Sequence, residues 1–122
     1  IFPLNIQAMQ EASQYLVGTH DFKSFCAAKT QAQTTVRTVT GIEVEAHPLS
    51  EGEYPSKKVI IRVTGEGFLY NMVRIISGTL IKVGLGVYPP EHVKQILEAC
   101  DRSQAGETVP AKGLFLKKIE YL

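Results

Sequence analysis

Residues 65–74 read GEGFLYNMVR, and this stretch, together with the apolar run that follows it to Val83, decides the fold. Immediately upstream, residues 58–63 carry apolar side chains at every second position, which is the period of a β-strand. Two glycines interrupt that period, and from Leu69 onward the apolar residues return at helical spacing. The stretch therefore predicts a strand, a glycine turn and a buried helix over residues 69–83.

The predicted helix has only a narrow polar stripe, formed by Asn71, Arg74, Gly78 and Lys82. Arg74 is therefore one charge on a nearly all-apolar helix, directly after a glycine turn. Because a guanidinium is costly to remove from water without an anionic partner, the sequence predicts that an anion faces Arg74.

The composition is typical of one globular domain. The chain has 122 residues, of which 44% are hydrophobic and 20% charged, and this is enough for a single core. A formal net charge of +1 neither requires nor excludes a nucleic-acid partner. No apolar run reaches the roughly 18 residues of a membrane span. The chain opens with Ile1-Phe2-Pro3, without an initiator methionine or a basic segment, so we expect no signal peptide and interpret it as part of a longer protein.

The remaining pattern predicts an α+β fold, with a small, mainly antiparallel sheet and helices packed on one face. We expect a single domain over residues 1–122. Its further elements are a helix over 6–17 capped by Gly18, a long-looped hairpin of strands 36–46 and 57–64, a short helix after Pro90, and a last strand over 114–122 with a bulge near Lys117. Strict alternation along 36–46 turns Val39 away from Ile42 and Val44, and it places Arg37, Lys58 and Arg62 on the sheet face opposite the helices.

The residues alone do not form a catalytic constellation. There is no Ser-His-Asp set with plausible spacing, no metal-ligand cluster and no phosphate-binding loop, and the glycine pair at 65 and 67 lacks the third glycine of a dinucleotide site. Adjacent His20 and Asp21 lie in a segment without a clear period, so we interpret Asp21 as a turn cap. Cys26 and Cys100 are far apart and are interpreted as free thiols in a reducing cytosol.

Four blocks of sequence resemble, in this order, the C-terminal half of the TruA-type tRNA pseudouridine synthases. They are GTHDFKSFC at 18–26, VRTV at 36–39, GFLYNMVRIISGTL at 67–80 and AGETVPAKGL at 105–114. The resemblance implies a cytoplasmic, homodimeric enzyme that isomerises uridine to pseudouridine in the anticodon stem-loop of tRNA. It implies no metal and no cofactor, because an aspartate attacks the flipped-out nucleotide and the freed base rejoins through carbon.

The resemblance also implies that the nucleophile lies elsewhere. In the family the aspartate belongs to an Arg-Thr-Asp motif of the N-terminal half, whereas here Arg37-Thr38 is followed by Val39. We therefore expect this chain to be the C-terminal half, to need the absent N-terminal domain, and to be inactive alone. The family's arginine that reaches the aspartate across the cleft corresponds to Arg74. The open alternative is an ion pair of Arg74 with Asp21 or Glu66 in this chain.

Two further sets of residues are candidates for contact with tRNA. Phe68, Leu69 and Tyr70 are expected to line the pocket beneath the flipped base, and the alternative for each of them is ordinary core. Lys29, Arg37, Lys58 and Arg62 are expected to bind phosphates, and the alternative is a solvated basic face. A second class of function also stays open, namely a non-catalytic RNA-binding or dimerisation module.

Overall fold

The computed structural model describes residues 4–27, 34–49, 56–108 and 119–121. Its helices are α1 (Ile6–Gln14), α2 (Met72–Gly84) and α3 (His92–Ala99), and two short 3-10 turns cover Lys23–Phe25 and Arg102–Gln104. Its strands are β1 (Gly18–Asp21), β2 (Val36–Leu49), β3 (Ser56–Glu66) and β4 (Ile119–Tyr121). They form one sheet in the order β1-β2-β3-β4, in which the first three strands are antiparallel and β4 is parallel to β3. The predicted α+β class and mainly antiparallel sheet are confirmed.

The core lies between one face of this sheet and the three helices. Val39, Ile42, Val44, Ile61 and Val63 line the sheet side of a single buried cluster, which α1, α2 and α3 complete. From α2, the cluster contains Met72, Val73, Ile75, Ile76, Leu80 and Val83. The central helix is therefore buried on most sides, as its sequence predicts.

A β-bulge in β2 resets the faces of that strand. Val39 pairs with Gly65 and Gly41 pairs with Thr64, so one extra residue, Thr40, lies between the two pairs. The extra residue puts Val39 on the same buried face as Ile42, so the expectation of strict alternation is wrong there. Arg37 precedes Val39 by two residues and therefore shares its face, which is the helix side of the sheet.

The structure also corrects the end of the first helix. α1 ends at Gln14, and the next amide groups, from Tyr15 to Val17, bond three residues back instead of four. Gly18, with φ of 115°, opens β1 by pairing with Val39, so it is not the left-handed helix cap that the sequence predicted. The sequence does not predict β1, because residues 19–26 have no clear apolar period.

The other predicted elements are present with shifted limits. The hairpin of β2 and β3 is confirmed and extends beyond both predicted strands. α3 begins at His92, after a turn in which the His92 amide donates to the Pro89 carbonyl. Of the predicted last strand, residues 119–121 are seen, whereas 114–118, residue 122 and the bulge near Lys117 lie outside the described residues. Within the described ranges, no helix has the length and apolarity to cross a membrane.

Candidate active-site face

The glycine turn and α2 together build the candidate site. Gly67 has φ of 69° and Asn71 has φ of 59°, both in the left-handed region, which an α-helix cannot pass through. α2 therefore begins at Met72, three residues after the predicted Leu69. The turn is closed by bonds from the Met72 amide to the Leu69 carbonyl at 3.0 Å and from the Ile75 amide to the Asn71 carbonyl at 3.0 Å.

Arg74 lies in the first turn of α2 and is half-buried. Among the residues that the structure describes, its guanidinium has neither an ion pair nor a hydrogen bond. The Asp21 carboxylate instead accepts from the Lys23 amide and the Thr35 hydroxyl, and exposed Glu66 forms no pair with Arg74. The amino terminus of a helix also favours an anion. Within the described residues, no carboxylate therefore pairs with the guanidinium, and the Asn71 side chain makes no capping bond at the start of α2.

The three predicted pocket residues have different surroundings. Leu69 is 4% exposed and belongs to the core, Tyr70 is 64% exposed, and Phe68 lies between these extremes. The Phe68 ring packs at Gly65, where an added Cβ would lie 3.3 Å from Phe68 Cε1. The Tyr70 carbonyl accepts from the Ala27 amide at 3.2 Å, which joins residues 18–27 to the glycine turn.

Arg37 lies beside this turn. Its Cδ and Nε atoms are each 3.9 Å from the position that a Cβ would occupy at Gly67. Its Nη1 atom donates to the carbonyls of Thr34 at 2.8 Å and Val36 at 2.7 Å, and no carboxylate pairs with it in the described ranges. The bulge at Thr40 therefore brings a second arginine to the end of the sheet where α2 begins.

Arg62 has a different environment, on the other sheet face. Its Nη1 atom is 3.1 Å from Glu43 Oε2 and 2.7 Å from Glu45 Oε1, and Glu45 also contacts His47 Nε2 at 3.0 Å. Hydrogen bonds from His47 and then Arg62 lower the pKa of Glu45, and the two carboxylates, Glu45 foremost, raise the pKa of Arg62.

Of the other predicted phosphate contacts, Lys58 pairs through its backbone with His47, and Lys29 lies outside the described residues. The structure thus brings Arg37 close to the turn before Arg74 and places Arg62 within a group of carboxylates.

Both cysteines are free, and burial, followed by the Asp21 charge, raises the pKa of both thiols. In the part of the chain that is described, no cluster of His, Cys, Asp or Glu could hold a metal ion.

Two buried hydroxyls that the sequence pattern does not mark as functional join segments that are far apart along the chain. Ser24 Oγ donates to the Ile96 carbonyl at 2.7 Å and accepts from the Asp101 amide at 2.8 Å. Thr79 Oγ1 donates to the Ile75 carbonyl at 2.9 Å and accepts from the Gly106 amide at 2.9 Å. A signal for Thr79 was available, because a hydroxyl within a nearly all-apolar helix requires a partner when it is buried.

Comparisons with known proteins identify the family of this chain. The family model described as tRNA pseudouridine synthase matches residues 12–122. The chain therefore belongs to the tRNA pseudouridine synthase family. It is 51% identical to the tRNA pseudouridine synthase A of Brevibacillus brevis and 49% identical to that of Bacillus subtilis, in both cases over 98% of this chain. It is also 49% identical, over 97% of its length, to the tRNA pseudouridine synthase A 2 of Clostridium tetani.

The chain spans less than half the length of these relatives. The matches cover 46% of the Brevibacillus protein, 45% of the Bacillus protein and 44% of the Clostridium protein. The relatives therefore contain a region of comparable size that has no counterpart in this sequence.

Proposed function

We propose that this chain is the C-terminal half of a tRNA pseudouridine synthase that isomerises uridine in the anticodon stem-loop of tRNA. In this proposal the chain forms one wall of the active-site cleft, and Arg74 pairs with an aspartate nucleophile of the N-terminal half. One observation carries the proposal: the Arg74 guanidinium lies at the start of α2 with no carboxylate partner among the described residues. The length of the relatives supports it, because they have room for the second half.

The chemistry asks for this geometry. An aspartate must be ionised to attack, and a bidentate pair with an arginine both lowers the pKa of a carboxylate and fixes its orientation. The nucleotide must leave the helical stack to reach the nucleophile. The glycosidic bond from C1′ to N1 of the base then breaks, and C1′ bonds to C5 instead. The hydrogen on C5 leaves as a proton and N1 gains a proton, so there is no net change in oxidation state. We therefore propose no cofactor and no metal for this reaction.

The glycine turn that precedes Arg74 along the chain presents side chains that suit a nucleotide substrate. The exposed Tyr70 ring offers a face on which a base can stack. Phe68 would line the pocket beside it, and buried Leu69 would support the turn from the core side. Among the proposed phosphate contacts, Lys29, Arg37, Lys58 and Arg62, we favour Arg37, because it lies on the helix side of the sheet and has no described carboxylate partner.

The proposal extends to the complete protein. We propose that it is a cytoplasmic homodimer in which both subunits hold one tRNA, and that the N-terminal half contributes the nucleophile. A mass measurement of the natural gene product tests the first requirement, since the proposal needs a protein of about twice this chain's length.

Tritium release from tRNA that carries tritium-labelled uridine compares the activity of the complete protein with that of this chain alone. We expect turnover by the complete protein and none above the blank by residues 1–122 alone, because these residues contain no Arg-Thr-Asp motif and the proposed nucleophile belongs to the N-terminal half. Turnover by the isolated chain would contradict the assignment of the nucleophile to the other half. A natural product of only this length that binds tRNA without turnover would instead favour the RNA-binding or dimerisation module.

A further inference from the structure

Thr79 occupies an unusual place in the centre of α2. Its side chain is fully buried, and its hydroxyl makes two hydrogen bonds. It donates to the Ile75 carbonyl and accepts from the Gly106 amide. Ser77, two residues earlier, is also fully buried and donates to the Val73 carbonyl at 2.8 Å. No described residue outside α2 bonds to Ser77, so the two hydroxyls differ only in the bond from Gly106.

Gly106 lies directly on the backbone of α2. A Cβ at Gly106 would be 2.8 Å from the Thr79 nitrogen and 2.9 Å from the Gly78 carbonyl carbon, so a side chain cannot fit. The Gly106 amide is buried, and Thr79 is its partner. A buried amide without a partner is unfavourable. The Thr79 hydroxyl therefore fixes where the Gly106 backbone lies along α2, and the close contact fixes its distance from the helix.

The segment around Gly106 is fastened at two points. At its start, the Asp101 amide donates to Ser24 Oγ, and five residues later Gly106 donates to Thr79. Between them, the Arg102 carbonyl accepts from the Ala105 amide, and just beyond Gly106, Thr108 Oγ1 accepts from Arg102 Nη2 at 3.2 Å. Residues 101–108 therefore form a segment that is held by hydrogen bonds and packs against the middle of α2.

The same hydroxyl acts on the first turn of α2. Ile75, whose carbonyl accepts from Thr79, is the residue after Arg74, and its amide donates to the Asn71 carbonyl. We propose that Thr79 is a positioning residue for Arg74: it holds α2 against residues 101–108 and so sets the depth and direction of the guanidinium in the cleft. This inference rests on the proposed function, in which Arg74 must meet a carboxylate of the other half.

The test compares two buried hydroxyls of one helix in the complete protein. Thr79→Val keeps the shape of the side chain and removes both hydrogen bonds, whereas Ser77→Ala removes only the bond within the helix. We expect Thr79→Val to lower the single-turnover rate of pseudouridine formation by about 10- to 100-fold, since small misplacements of a catalytic group have effects of this size. We expect Ser77→Ala to change that rate by less than about threefold. The dissociation constant for tRNA should change by less than about threefold in both variants, because phosphate contacts dominate affinity.

Thr79→Ser supplies the rescue, since it keeps the hydroxyl and loses only a methyl group. We expect it to retain the wild-type rate. A rate as low as that of Thr79→Val would overturn the inference, and so would a Thr79→Val rate equal to that of Ser77→Ala. The melting temperature of each variant must lie above the assay temperature. If Thr79→Val does not fold, Thr79→Cys replaces it, because a thiol is a weak hydrogen-bonding group of similar size.

The wild-type protein separates this inference from the proposed function. If the complete wild-type protein forms no pseudouridine in tRNA, the proposed function fails. If it does, and the Thr79 and Ser77 variants behave alike, only the positioning role fails.

Discussion

Arg62 and Arg74 lie on either side of the same glycine turn, yet their surroundings differ. Arg62, on β3, is held by two carboxylates of the neighbouring strand, Glu43 and Glu45. Arg74, on α2, has no ion pair within the described ranges and is half-buried at a helix end that favours anions. The charge of Arg62 is therefore neutralised by this chain, whereas no described residue neutralises that of Arg74, for which we propose a partner outside it. The residue type and the sequence spacing of the two arginines do not show this.

The largest expected effect is on turnover, and it compares Arg74 with Arg62. In the complete protein, Arg74→Lys should lower turnover by about 100- to 1,000-fold, because lysine keeps the charge but loses the planar, two-pronged contact to a carboxylate. Arg62→Lys, the matched control, should leave turnover unchanged. Tritium release at saturating tRNA measures both. Equal losses of turnover in the two variants would show that the lack of an ion pair does not identify the arginine needed for catalysis.

The second effect concerns tRNA affinity and compares Arg37 with Arg62. Arg37→Ala should weaken binding and reduce the slope of log affinity against log salt concentration by about one, since one phosphate contact is lost. Arg62→Ala should leave the slope nearly unchanged, because two carboxylates already offset that charge. Filter-binding titrations at several salt concentrations decide between them. A larger change in slope for Arg62→Ala would mean that tRNA displaces Glu43 and Glu45.

The third effect concerns the stability of the chain alone. Because Arg74 has no described partner, Arg74→Ala in residues 1–122 should change the free energy of unfolding by less than about 0.5 kcal/mol. A buried ion pair with Asp21 or Glu66 would instead cost about 3–5 kcal/mol when one side is removed. Urea unfolding of the wild type and the variant measures this difference. A loss in the higher range would favour the pair within this chain.

The smallest effect is the pH dependence of the Arg62 group. The pKa of Glu45 is lowered in the folded chain by hydrogen bonds from His47 and Arg62. The stability from this group should therefore be fully present above the pKa of Glu45 in the unfolded chain, and it should be lost as the pH falls through the lowered folded value. Comparing the acid unfolding of the wild type with that of Glu45→Gln shows it. A difference between the two that persists at the lowest pH would assign the stability to another interaction.

The strand, the glycine turn and the buried helix could be predicted because apolar periods of two and of about 3.6 residues meet at Gly65 and Gly67. The bulge at Thr40 could not, because one inserted residue changes the face of a strand without changing its composition. That bulge turned Arg37 to the helix side, whereas alternation had placed it with Arg62. The start of α2 was also missed, because it depends on the left-handed conformation of Asn71.

For the candidate site, the sequence predicted that Arg74 needs an anionic partner, but it did not decide whether that partner lies in this chain or outside it. It could not separate Leu69 in the core from exposed Tyr70, because the turn conformation decides which side chain points inward. Thr79 lies within residues 67–80, but its partner Gly106 is 27 residues away, and only the fold joins them.

The parallel pairing of β4 with β3 bears on the order in which the chain folds. β2 and β3 are neighbours along the chain, whereas Val63 pairs with Ile119 only after both α2 and α3 have returned the chain to the sheet. Closing the longer loop costs more chain entropy, and parallel strands require such a crossover. We therefore expect the hairpin to form early and β4 to join late, so that the sheet is complete only after residues 119–121 have left the ribosome.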